Sequence, residues 1–89
     1  GGKGRLADGQ FTVFPNPFSS SLTATWGEGI ESAVSVKLYS VEGRLLHSGK
    51  SGNGELRYLA DFDSLTPGIY LLRLQAEDGQ TGVFRVGKK

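Results

Sequence analysis

Cysteine is missing from all 89 residues, which rules out disulfides, thiolate metal sites and cysteine nucleophiles. Histidine occurs once, at His47, whereas a zinc site needs several nitrogen, sulfur or carboxylate ligands at suitable spacing. No apolar run approaches the ~18 residues that a membrane-spanning helix requires, so no transmembrane segment is expected. Neither sign of charge is in excess. Ten Lys and Arg against nine Asp and Glu leave a net charge of +1, which gives sequence-independent nucleic-acid binding little electrostatic support. No secretory leader is visible, and if a parent protein is exported its signal is expected upstream. Helical periodicity is never sustained beyond one turn.

What is present is period-two alternation broken by turn residues. The fourteen glycines are scattered between apolar runs, as in short strands joined by tight turns. Strands are expected at Phe11–Phe14, Ser19–Trp26, Ala33–Val41, Leu45–Ser48, Leu56–Phe62, Ile69–Ala76 and Gln80–Val86. Leu22, Ala24 and Trp26 share one face of the second, opposite Ser21, Thr23 and Thr25. The sixth is apolar on both faces, the mark of a central strand. The punctuation is Pro15-Asn16-Pro17, Gly27–Gly29, Val41–Arg44, Gly49–Gly54, Asp63–Gly68 and Asp78-Gly79. About seven antiparallel strands at this spacing predict an all-β, immunoglobulin-like β-sandwich. Residues 1–9, beginning Gly1-Gly2-Lys3-Gly4, read as a linker or an added remnant, and residues 10–89 as one domain.

The inventory for chemistry is short. His47 has no evident orienting acid and nucleophile, and the Ser19-Ser20-Ser21 hydroxyls lie at a strand start without a nucleophile elbow. A strand-surface histidine and a polar edge are the favoured reading. Asp61 and Asp63 are two residues apart, but the remaining ligands of a calcium loop are missing. The glycines at 49, 52 and 54 precede no helix that would hold a phosphate. Trp26, Tyr39, Tyr58 and Tyr70 suggest a sugar-stacking platform, against which stands the habit of such aromatics to fill cores. Tyr39, on the polar face of its strand, is the best candidate for an exposed ring. No catalytic, cofactor or metal-binding residue is assigned.

Three turn motifs occur in order: Val13-Phe14-Pro15-Asn16-Pro17-Phe18, then Leu38-Tyr39-Ser40-Val41-Glu42-Gly43-Arg44-Leu45-Leu46, then Leu65-Thr66-Pro67-Gly68-Ile69-Tyr70-Leu71-Leu72-Arg73-Leu74. A basic pair, Lys88-Lys89, closes the series. From Phe11 to Lys89 the chain resembles the C-terminal sorting domain of the type IX, or Por, secretion system of Bacteroidetes. Pro15, Asn16 and Pro17 match the first motif of that family, Gly43 the glycine of the middle turn, Gly68 and Tyr70 the last motif, and Lys88 and Lys89 the basic end. Ser40 stands where Asp or Asn often precedes the middle turn, and Ser caps turns similarly.

The resemblance implies an immunoglobulin-like domain at the C-terminus of larger exported proteins such as proteases, glycosidases and adhesins. It implies passage from the periplasm through the outer-membrane translocon to the cell surface or beyond. It also implies removal by a surface sortase, with cleavage near Gly1–Gly9 or upstream. Translocon and sortase components are the expected partners, and the oligomeric state is left open. Gly43 and Tyr70 are expected to maintain the fold. The last strand and Lys88-Lys89 are expected to be read, as an accessible sheet edge and terminus. Two other functions compete with this one: a carbohydrate-binding or adhesion module of fibronectin-like type, and a passive spacer on a surface enzyme.

Overall fold

The computed structural model describes residues 11–27, 29–30, 32–52 and 54–89. The expected linker at residues 1–9 and the turn residue Asn53 lie outside the described residues. Seven strands are present: β1 (Phe11–Phe14), β2 (Ser21–Trp26), β3 (Val34–Ser40), β4 (Leu45–Lys50), β5 (Arg57–Asp61), β6 (Gly68–Ala76) and β7 (Thr81–Lys88). They form a three-stranded sheet in the order β1-β2-β5 and a four-stranded sheet in the order β4-β3-β6-β7. All strand pairs are antiparallel. This is the expected immunoglobulin-like sandwich, with no helix among the described residues.

Alternation decides which residues meet between the sheets. Leu22, Ala24 and Trp26 of β2 face Val34, Val36 and Leu38 of β3 and Tyr70, Leu72, Leu74 and Ala76 of β6, and all are buried in one cluster. Phe11, Phe18, Ile30, Ala60, Phe62 and Val86 complete it. Two edge-on aromatic pairs lie inside. Phe11 and Trp26 have ring centroids 6.3 Å apart, and Phe18 and Phe62 have centroids 5.9 Å apart. The indole Nε1–H of Trp26 donates to the Glu55 carbonyl at 2.9 Å, so this large ring is buried without an orphaned donor.

Strand ends shift by a few residues from the alternation pattern, and hydrogen bonding gives the reason. β4 runs on to Lys50, and beyond it Ser51 exchanges bonds with Val34: its N–H donates to the Val34 carbonyl and its Oγ accepts from the Val34 N–H, both at 2.9 Å. β7 runs on to Lys88, which lies opposite Gly68. Leu56, at the start of the expected fifth strand, falls before β5, which begins at Arg57, and is exposed.

His47 is a correction. It is not a surface residue but half-buried on the inner face of β4, edge-on to Phe62 at 5.1 Å and sharing a hydrogen bond of 3.0 Å with the Tyr58 hydroxyl. The cause is a bulge: Leu38 lies opposite His47 while the next residue, Tyr39, lies opposite Leu45. The extra residue, Leu46, inverts the facing between Leu45 and His47.

Phe18 is wholly buried although it lies between β1 and β2 rather than in a strand. Replacing it by alanine is expected to destabilise the domain by about 3–5 kcal/mol through the cavity left against Phe62. That is a large share of the ~5–15 kcal/mol total of a small domain. Urea denaturation followed by Trp26 fluorescence checks it; a loss below about 1 kcal/mol would contradict this packing role.

Candidate functional site

The antiparallel register brings the motif segments to one end of the sandwich. β1 ends, β2 begins and β5 ends at this end of one sheet. β3 ends, β4 begins, β6 begins and β7 ends at the same end of the other. The connecting segments here are Pro15–Ser20, Val41–Arg44 and Phe62–Pro67, followed by Lys88-Lys89. Trp26, Ile30, Ser51 and the Asp78-Gly79 turn belong to the opposite end.

At the motif end the segment after β1 lies against the outer edge of β7. Pro15 and Pro17, both following cis peptide bonds, have no N–H to give to a ladder. Asn16 supplies the pairing with its side chain instead. Its Nδ2–H donates to the Arg85 carbonyl at 3.0 Å, and its Oδ1 accepts from the Gly87 N–H at 2.9 Å. A carboxamide offers the same donor and acceptor as a peptide group, so Asn16 stands in for one residue of a strand. Phe18 then continues with backbone bonds: its N–H donates to the Gly87 carbonyl and its carbonyl accepts from the Lys89 N–H, both at 2.8 Å. The result is a parallel bridge between Phe18 and Lys88 that ties the two sheets together.

This pairing changes the expectation for the terminal lysines. Their backbone is not an open edge, because Lys88 lies opposite Gly68 on one side and bridges to Phe18 on the other. The Lys89 side chain is exposed and that of Lys88 half-buried, so what they present outward is charge. Farther back, at Thr81 and Val83, the outer edge of β7 has no backbone partner among the described residues.

Two neighbouring corners carry the other motif residues. In the Val41–Arg44 turn the Gly43 N–H donates to the Ser40 carbonyl and the Ser40 N–H to the Arg44 carbonyl, both at 2.9 Å. Ser40 Oγ accepts from the Arg44 N–H at 3.2 Å, so serine does cap this turn. Gly43 adopts φ +93°, a conformation that a Cβ disfavours. Tyr70 holds the corner where the chain crosses from β5 to β6. Its ring is buried, and its hydroxyl donates to the Thr66 carbonyl four residues upstream. Immunoglobulin-like domains use such a tyrosine at this crossing. Gly68, at φ +154°, lies between the corner and the Lys88 pairing.

The remaining candidates do not assemble. Trp26 is buried at the far end, Tyr39 is half-buried on the outer face of the four-stranded sheet, Tyr58 meets His47 and Tyr70 fills its corner, so the four rings form no common platform. Asp61 and Asp63 are both exposed, with Asp61 opposite Ser21 in the ladder. Among the described residues, no three His, Asp or Glu side chains converge as metal ligands.

The family model for the secretion system C-terminal sorting domain matches residues 12–85. The chain belongs to this family. It is therefore a sorting signal of the type IX secretion system, of the kind carried by proteins exported across the outer membrane to the cell surface or the medium. Such a domain is an address and not itself a catalyst. No curated protein matches the chain.

The sequence motifs named Pro15, Asn16, Pro17, Gly68, Lys88 and Lys89 separately, and the fold brings them together. Phe18, Arg85 and Gly87, which complete the bridge, were not singled out by sequence. The one available signal was an Asn between two prolines that have no N–H, in a segment that cannot supply a regular ladder. Asn16→Ala is expected to cost about 1–2 kcal/mol, the net worth of two hydrogen bonds. Amide exchange should quicken at Gly87 and Lys89 while Leu74 in mid-sheet keeps its protection. Equal protection at Gly87 in both proteins would show that the side-chain bridge does not hold the strand.

Proposed function

We propose that the type IX machinery reads this domain at the end where the motifs meet, with Pro15, Asn16, Pro17, Gly43, Gly68 and Tyr70 shaping the surface and Lys88 and Lys89 presenting its charge. The observation that supports this is the bridge from Asn16 and Phe18 to Arg85, Gly87 and Lys89, which holds residues about seventy positions apart as one unit. Gly43 and Tyr70 act through the fold, as a turn and a corner. The bridge uses only the backbone of the two lysines; the Lys89 side chain is exposed, and that of Lys88 is half-buried with its Nζ donating to the Lys89 carbonyl at 3.4 Å. Translocon components are the first readers. A surface sortase then cuts in the segment before the fold, so that residues 1–9 serve as linker and residues 10–89 as the recognised domain.

A reporter carrying an export signal and fused to residues 1–89 tests this in a type IX-competent cell. The intact domain is expected to deliver the reporter to the surface. Deleting Gln80–Lys89 is expected to abolish delivery, but it also removes β7 and with it the fold. Lys88→Ser with Lys89→Ser keeps every backbone bond, and it should leave the purified domain's melting curve in place while surface delivery drops several-fold. Full delivery by the doubly substituted domain would remove the lysines from the reading.

A further inference from the structure

The net charge of +1 conceals a strong segregation. Side chains on the outer face of the four-stranded sheet follow from the register. Lys37 lies opposite Ser48 and Arg73, Arg73 opposite Val83, and Leu71 opposite Tyr39 and Arg85, while Lys50 lies opposite Ser35. This face therefore carries Lys37, Lys50, Arg73 and Arg85 and no carboxylate from any of its four strands. The outer face of the three-stranded sheet has one charge of each sign, Arg57 and Asp61. Lys50 pairs with Glu77 at 2.7 Å at the rim, but no ion pair among the described residues reaches Lys37, Arg73 or Arg85.

Two details mark this face. Lys37 and Arg73 are directly opposed across β3 and β6, where like charges destabilise a sheet. Between the cations lies apolar surface: Leu45, Ile69 and Val83 are 49%, 42% and 64% exposed, and Tyr39 and Leu71 are half-buried beside them. A small domain gains nothing by leaving such groups in water next to unpaired cations.

We propose that this face is a docking surface for a protein partner with acidic side chains set around an apolar patch. Charge complementarity selects the sign, because Lys37, Arg73 and Arg85 have no ion-pair partner among the described residues. The aliphatic side chains select protein over a polyanionic glycan, since Leu, Ile and Val offer sugar hydroxyls no partner while tyrosine and arginine are enriched at protein interfaces. A second copy of this chain is disfavoured, because a face-to-face two-fold pairing would set cations against cations. The proposal rests on the sorting-signal reading and gives it a second, broader contact: the motif end supplies the address, and the sheet face supplies electrostatic capture by the translocon.

The test uses the triple substitution Lys37→Gln, Arg73→Gln and Arg85→Gln in the 1–89 chain. Its control on the other sheet, Thr23→Glu, Thr25→Glu and Arg57→Gln, removes the same charge, since three lost cations equal two added carboxylates plus one lost cation. Thermal melts should leave the triple variant at or above the parent, because like-charge opposition is relieved. If the triple variant fails to fold, Arg73→Gln and Arg85→Gln singly replace it. Binding to detergent-purified type IX translocon is measured by interferometry at about 50 and about 300 mM salt. The parent should weaken with salt, the triple variant should bind roughly tenfold more weakly and with little salt dependence, and the control should match the parent. Reporter delivery by the triple variant should fall in step.

Equal binding and delivery by parent and triple variant would overturn the proposal and leave the sorting reading standing. Failure of the parent domain to deliver its reporter would overturn both. Loss of binding to anionic phospholipid vesicles, with translocon binding unchanged, would assign the face to a lipid surface and refute a protein partner.

Discussion

Phe18 is the residue whose backbone hydrogen-bonds the connector of one sheet to the edge of the other. Its side chain is fully buried against Phe62, and its N–H and carbonyl are both spent on β7, so packing and pairing fix the same point. Apart from this and the side-chain bond between His47 and Tyr58, the sheets meet by apolar contact, which is non-directional and tolerates sliding. A bridge with fixed donors and acceptors removes that freedom. Asn16 extends it by two further bonds, and Gly68 meets β7 from the other side at Lys88. The motif end owes its definite shape to this local arrangement.

Two of the residues that the sequence resemblance picked out find sufficient explanation within the fold. Gly43 permits a tight turn that Ser40 caps, and Tyr70 pins a crossing between sheets with a ring in the core and a hydroxyl on the Thr66 carbonyl. The basic pair is different. Its backbone bonds would be the same with any residue there, so the fold does not require lysine at either position.

The strands were legible because one face of each is covered, and a covered face enforces alternation: Leu22, Ala24 and Trp26 could be placed together from spacing alone. The orientation of His47 was not legible, because one extra residue in β4 reverses the parity and nothing in Leu45-Leu46-His47 announces it. The bridge was half legible, as a Pro-Asn-Pro segment unable to continue a ladder, but its partner lies some seventy residues away and is backbone, which leaves no side-chain signature. The cationic face was hidden for another reason. Lys37, Lys50, Arg73 and Arg85 are dispersed along the chain among acidic neighbours, so summed charge cancels, and only the register collects them.

The bridge also bears on how the domain reaches its final state. Loop closure over most of the chain is entropically expensive and contributes to slow folding in proteins dominated by non-local contacts. The hairpins β1–β2, β3–β4 and β6–β7 connect near neighbours and can pair as soon as each is available, whereas the bond from Lys89 to Phe18 joins residues about seventy positions apart. A chain cut short after Val86 retains most of the ladder and lacks the joint. The joint between the sheets is thus closed only by residues far apart in the chain, at the end where the motifs gather.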